Sequence, residues 1–126
     1  MSQYADIIER LEKLEGPLLD GFKVRDLADL IPAVVHDAET SWLFGAALSG
    51  RLESLGAAIA LVERMLPGAY REASGPRKYL NIPTPVPAKF RAEILANRGG
   101  FVGWHEREPI ALLLAMFRAI EAGAKP

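Results

Sequence analysis

The sequence has no cysteine and no long apolar run. The absence of cysteine excludes disulfides, thiolate metal sites and a thiol nucleophile. No apolar segment reaches the roughly 20 residues that a bilayer crossing needs. The start of the chain, Met1–Asp6, lacks the basic region and cleavage pattern of a signal peptide. We therefore expect a reduced, cytoplasmic location and no contact with a membrane.

Catalytic motifs are also missing. The glycine pair Gly99–Gly100 lacks both the spacing and the strand–loop–helix context of a phosphate-binding loop. None of Ser41, Ser49 and Ser54 lies in a nucleophile elbow. Nothing in the sequence requires an enzyme, and we expect no cofactor.

Length and composition indicate one globular domain. The chain has 126 residues, of which 50% are hydrophobic and 25% charged. We expect an N-terminal helical part (1–53) followed by a sheet with flanking helices (54–126). Residues 1–66 carry a formal charge of −5 and residues 67–126 carry +4. Either the basic half binds an anionic partner, or the halves attract each other; the scattered basic residues favour the second interpretation.

Helical periodicity is clearest in three places. Apolar residues recur every three or four positions near 3–15, 54–66 and 109–122. Ser54 is a candidate N-cap of the second of these helices, and Pro67-Gly68 ends it. A short helix is also expected around 24–31. Residues 33–50 are expected to be partly helical or irregular.

After Gly68 the period falls to two. Short strands are predicted at 69–73, 78–82 and 89–96, and residues 101–105 form either a brief fourth strand or an ordered loop. The prolines of 83–87 favour an extended connection rather than a central strand. The expected fold is therefore α+β, with an antiparallel sheet of about three strands (residues 69–96) packed against the three helices. The N-terminal helix is expected to cover another part of the sheet.

Two segments resemble a known family. Residues 55–68, with Ala-Ala-Ile-Ala-Leu-Val-Glu-Arg-Met-Leu-Pro-Gly at their centre, and the run Pro109–Ile120 are similar to the opening and closing helices of the phage ABA sandwich domain. The N-terminal run Ile8–Pro17 is similar to a leader helix of phage and prophage proteins. The resemblance implies a phage- or prophage-derived protein in a bacterial host. It supplies no catalytic residue.

One cluster has acid–base chemistry. Trp104, His105, Glu106 and Glu108 immediately precede the last helix, and a histidine with carboxylates can bind a metal or move a proton. A metal site would need further ligands, which only the neighbourhood of His36 offers, through Asp37 and Glu39. The alternative, which we favour, is that the glutamates serve the helix start while the tryptophan packs.

Nucleic-acid binding is the second hypothesis. A basic and aromatic sheet face is the candidate surface, on which cations would lie beside stacking rings; its members are Arg71, Lys78, Tyr79, Lys89 and Arg91. The alternative is an ordinary solvated sheet face.

We favour a non-enzymatic accessory or protein-interaction module. A homodimer is one option, formed through exposed apolar surface such as Trp42-Leu43-Phe44 or the last helix.

Overall fold

The structure, a computed structural model, describes residues 4–15, 18–31, 37–74, 90–96 and 99–123. These residues form helices and strands in the following chain order: α1 (Ala5–Glu12), α2 (Gly21–Ala28), α3 (Ala38–Leu48), α4 (Ser54–Met65), β1 (Tyr70–Ser74), β2 (Phe90–Ala96), β3 (Gly99–His105) and α5 (Glu108–Glu121). The predicted α+β class is confirmed. The predicted strand 78–82 and the proline run lie outside the described residues.

Helix α2 begins earlier than predicted. The Asp20 carboxylate accepts hydrogen bonds from the backbone N–H groups of Phe22 and Lys23 (2.9 and 3.5 Å), which satisfies two donors that a helix start leaves open. The helix therefore starts at Gly21 and ends at Ala28, rather than spanning 24–31.

Residues 38–48 form a regular helix, although the sequence predicted mixed structure there. Asp37 is the N-cap of α3 and accepts the N–H of Thr40 at 2.8 Å. Just beyond its C-terminus, Gly50 adopts a φ of 73°, a conformation that suits glycine. Leu43, Phe44, Ala47 and Leu48 are buried along its inner face.

Helix α4 begins where predicted and ends one residue earlier than predicted, at Met65, but its N-cap differs from the prediction. Ser54 is the first helical residue rather than the N-cap, and its hydroxyl donates to the carbonyl of Ala46 at 3.0 Å. The most buried stripe runs through Ala57, Ala58, Leu61, Val62 and Met65, whereas Leu55 and Ile59 are only partly buried.

The described sheet is an antiparallel meander in the order β1-β2-β3. Strand β2 lies within one residue of its prediction, and its Ala92 and Ile94 are fully buried. Residues 101–105, predicted as either a brief strand or an ordered loop, belong to strand β3, which pairs with β2 along its whole length, so the sheet extends beyond its predicted end at 96.

Helix α5 lies at the centre of the fold. One side of it packs on β2 and β3, and other sides contact α4, α1 and α3. Nine of its residues are buried, so its apolar surface is used inside the fold rather than in an interface between copies. Among the described residues, helix α1 packs chiefly on α5, rather than over the sheet as predicted.

None of the helices in the described segments is long and apolar enough to cross a membrane.

Candidate functional site

The His105 cluster is divided between the two faces of the sheet. Strand residues alternate in direction, so His105 points into the fold and is 5% exposed, whereas its neighbour Trp104 is 42% exposed on the outer face. Glu106 is exposed after the strand, and Glu108 lies in the first turn of α5, where its charge suits the helix dipole.

Both ring nitrogens of His105 are engaged with the backbone. Nδ1 accepts the N–H of Arg107 at 3.0 Å, and Nε2 lies 2.9 Å from the carbonyl oxygen of Leu14. Because the Arg107 amide can only donate, the proton of the neutral ring must be on Nε2, which donates to Leu14. The histidine thus joins the end of α1 to the start of α5, which is a structural role.

The described residues contain no group of three or more His, Asp or Glu side chains able to hold a metal. Two of the proposed extra ligands, Asp37 and Glu39, instead form ion pairs with Arg64 at 3.1 and 2.9 Å. His36 lies outside the described residues. Asp37 and Glu39 are therefore paired with Arg64, and the metal site that includes His36 stays a prediction.

The pairing register separates the two arginines proposed for nucleic-acid binding. Arg71 is opposite Ile94, and Arg91 is opposite Ser74 and Trp104. In the backbone register, position 71 is therefore not paired with position 91. Arg91 is also 3.4 Å from the carboxylate of Glu93. The other three proposed residues, Lys78, Tyr79 and Lys89, lie outside the described residues.

Exposed apolar side chains gather on a different part of the molecule. Six large apolar residues of the described chain are substantially exposed, and four of them come from the helical segment 19–52. Three of these four line two adjoining pockets and define what we call the α2–α3 surface: Leu19 (62% exposed), Phe22 (81%) and Trp42 (67%); the fourth, Leu52 (104%), is in the α3–α4 connection. An apolar set of this kind with a polar rim is typical of a protein-binding surface.

A groove of about 340 Å³ runs through the α2–α3 surface. Leu19 and Trp42 line it together with Val24 and Gly45, and its charged lining residues are Arg51 and Glu53. A shallow pocket beside it is lined by Asp20, Gly21, Phe22 and Arg25, and Gly21 belongs to both. Leu52 follows Arg51 in the chain but lines neither the groove nor the pocket.

The two helices that carry this surface are packed against each other. A Cβ atom at Gly45 of α3 would lie 3.4 Å from the Val24 side chain of α2, which is van der Waals contact distance, so the helices touch at this point. The chain just before α2 is fixed to the end of α3 by the hydrogen bond from Leu18 N–H to the Leu48 carbonyl, at 2.9 Å. The groove therefore has two anchored walls.

Hydrogen bonds of two serines fix the connection between α3 and α4, which also borders the groove. The hydroxyls of Ser49 and Ser54 are 3.1 Å apart, and both donate to the Ala46 carbonyl at the end of α3. The Ser49 oxygen also accepts the N–H of Arg51 at 3.3 Å. These bonds set the path of the α3–α4 connection and hold Leu52 outward.

Charge pairing fixes the N-terminal end of α3. The Thr40 backbone N–H and then the Arg64 guanidinium hydrogen-bond to Asp37 and lower the pKa of its carboxyl from 3.8 to about 2. The pairing in turn raises the pKa of Arg64, chiefly through its hydrogen bond to Asp37. This cluster ties α4 to the helix that carries Trp42.

Trp42 was predicted as exposed apolar surface, but its predicted companions Leu43 and Phe44 are buried, and Phe22 was missed. A helical projection begun at Gly21 finds Phe22, because it falls on the same side as Arg25, Asp26 and Asp29 and opposite the buried Leu27 and Ala28. A helix predicted to begin at 24 leaves Phe22 outside that projection.

No family model, curated protein or solved structure matches the chain. The likeness to the phage ABA sandwich domain thus rests on residues 55–68 and 109–120 alone. The candidate site rests on its geometry.

Proposed function

We propose that this protein is a non-enzymatic interaction module that binds a protein partner through the α2–α3 surface. The single observation that carries the proposal is the exposure of two aromatic rings, Phe22 and Trp42, beside a groove held by two packed helices. Exposing such rings to water is unfavourable, and rings of this kind supply much of the binding free energy at protein interfaces.

The phage or prophage origin is part of the same proposal. It is supported by the sequence likeness of 55–68 and 109–120, which correspond to α4 with its Pro-Gly stop and to the central helix α5. Both segments build the core, whereas the α2–α3 surface lies in the part of the chain that carries no such likeness. We therefore place the specific function in α2, α3 and their connections.

The test replaces Trp42, which leaves the core intact because the side chain is mostly exposed. Tagged wild-type protein, Trp42→Glu and a control, Leu95→Glu, are used to capture proteins from a lysate of the bacterium that carries the gene. Leu95 is a second exposed apolar residue, 42% exposed, on the sheet. Mass spectrometry then identifies what each variant retains.

We expect at least one protein to be retained by the wild type and by Leu95→Glu but lost with Trp42→Glu. The reason is that burying the glutamate charge in an apolar interface costs binding free energy. If the three proteins retain the same set, or if the wild type retains nothing, the α2–α3 surface is not a protein-binding site.

A further inference from the structure

Hydrogen bonds around His105 tie the ends of four elements together. Nε2 of the ring donates to the Leu14 carbonyl just after α1, and Nδ1 accepts the backbone N–H of Arg107 just before α5. The Arg107 guanidinium lies 3.5 Å from the Leu48 carbonyl at the end of α3, and the same carbonyl accepts the N–H of Leu18 at 2.9 Å. We call these five residues the His105 junction.

The junction requires the neutral ring. A backbone N–H can only donate, so a ring with a proton on both nitrogens has no acceptor for Arg107. Arg107 is the N-cap of α5 and makes no side-chain cap of its own. Its N–H is therefore one of the donors that a helix start leaves open, and Nδ1 of His105 satisfies it. Protonation of the ring and the closed junction thus exclude each other.

The surroundings of the ring also disfavour a positive charge. His105 is only 5% exposed, and burial penalises the charged form of a histidine. The N-terminus of α5, three residues further along the chain, carries the positive end of the helix dipole. Burial lowers the pKa of the neighbouring Arg107 guanidinium, so the junction already disfavours one positive charge.

Carboxylates near the ring act in the opposite direction. Glu106 is exposed and Glu108 is half-buried, and water screens the attraction of exposed carboxylates. On α1, Glu12 pairs with Arg118 and Lys13 with Glu9. The segment 40–48 of α3 carries no charged residue. The remaining charged residues of the described segments on either side are Glu15 after α1, which is exposed, and Arg91 and Glu93 of β2, which pair with each other.

We propose that His105 is a pH-sensitive latch: the neutral ring closes the junction, and protonation opens it, which releases Leu14 and the turn before α5. An unfolded chain takes up this proton near about pH 6.5, whereas the closed junction does not. The latch therefore contributes stability above about pH 6.5 and loses it as the pH falls below that value. It does not depend on the proposed function, although Leu18 also lines the groove of the α2–α3 surface.

Nuclear magnetic resonance of the full chain tests the protonation step. His36→Gln leaves His105 as the sole histidine, since the chain has two. The ring nitrogen shifts should show a neutral ring protonated on Nε2 at alkaline pH, and proton uptake with a midpoint below about pH 6.5. A midpoint at or above that value, or a neutral ring protonated on Nδ1, overturns the latch.

Amide hydrogen exchange, corrected for its intrinsic pH dependence, tests the opening. The amides of Leu14 and Arg107 report on the junction, and the amide of Leu66, bonded to the Val62 carbonyl at 2.8 Å in α4, is the reference. Between about pH 7 and about pH 5, protection of Leu14 and Arg107 should fall at least about tenfold relative to Leu66. An unchanged ratio overturns the latch, whether all three amides lose protection together or none does.

His105→Asn separates the latch from other acid effects. Asparagine places an oxygen near the position of Nδ1 that can accept the Arg107 N–H, but it does not take up a proton. The change in the exchange ratio should disappear in His105→Asn and persist in the control His36→Gln. Persistence in His105→Asn overturns the latch. If His105→Asn does not fold, the titration of His36→Gln still decides, because it leaves His105 intact.

Discussion

At the scale of single residues, Gly103 is the point where the sheet and the central helix touch. A Cβ atom there would lie 2.7 Å from the backbone nitrogen of Ala115 and 2.8 Å from Leu114 Cβ, and closer still to the Ala111 carbonyl oxygen. All three atoms belong to the helix framework, so no side-chain rotation relieves the overlap. The absence of one side chain thus sets the distance between β3 and α5.

We predict that Gly103→Ala lowers the free energy of unfolding by at least about 3 kcal/mol, at the upper end of overpacking effects, because α5 must move away from the sheet. Urea denaturation followed by circular dichroism measures the change. Gly100→Ala on the same strand is the matched control. Its new Cβ would meet mainly the ends of the Glu93 and Leu95 side chains, which can rotate, so we expect a loss below about 1 kcal/mol. Equal losses for the two variants would contradict this account.

At the scale of elements, the sequence predicted the helices and strands whose start, stop or periodicity is set by residues within or directly beside the element. Pro67-Gly68 predicted the C-terminal end of α4 to within one residue. Gly68 has a φ of 79°, in the left-handed region that favours glycine after a helix. The alternation of Phe90, Ala92 and Ile94 likewise predicted β2.

The missed features depend on contacts between elements. Helix α3 is apolar on several sides, so its periodicity is weak, and its start depends on the Asp37 cap and on Arg64, 27 residues later. The hydroxyl of Ser54 donates a hydrogen bond to the Ala46 carbonyl at the end of α3, and the residue pattern of α4 alone does not indicate this contact. The α2–α3 surface is hidden in the sequence for the same reason, because exposure of Phe22 and Trp42 is decided by what packs against the opposite sides of their helices.

The cap of α3 has a defined pH dependence. The folded pKa of Asp37, about 2, lies below its ordinary value of 3.8, so its contribution is present above about pH 4 and is lost as the pH falls toward 2. We predict that Asp37→Asn, which keeps the capping oxygen but not the charge, is less stable than wild type at neutral pH and that the difference shrinks between pH 4 and 2. Thermal unfolding across this range measures it.

Arg64→Met provides the control for the charge pair. In a double-mutant cycle, the coupling between positions 37 and 64 should be present at pH 7 and fade over the same acid range, and added salt should weaken it. A coupling that is unchanged by pH would show that the ion pair between Arg64 and Asp37 does not support the cap.

At the scale of the whole molecule, Arg118 joins three parts of the fold. Its guanidinium donates to the Val102 carbonyl of β3 at 2.7 Å and forms an ion pair with Glu12 of α1. Arg118 belongs to the basic half of the chain and Glu12 to the acidic half, so this contact is of the kind expected if the halves attract each other. It also fixes α1, which otherwise packs mainly on α5.

We predict that Arg118→Met, which keeps the apolar stem, lowers the free energy of unfolding by about 1–3 kcal/mol, because it leaves a carbonyl and a carboxylate without this donor. Glu12→Gln should cost less, since the bond to Val102 remains. Hydrogen exchange separates the effects: in Arg118→Met the amides of α1 should exchange faster, while those at the centre of α5 change only with the global stability. If α1 exchange is unaltered relative to α5, Arg118 does not hold α1, and the hydrophobic contacts of Ile7, Ile8 and Leu11 must suffice to keep this helix in place.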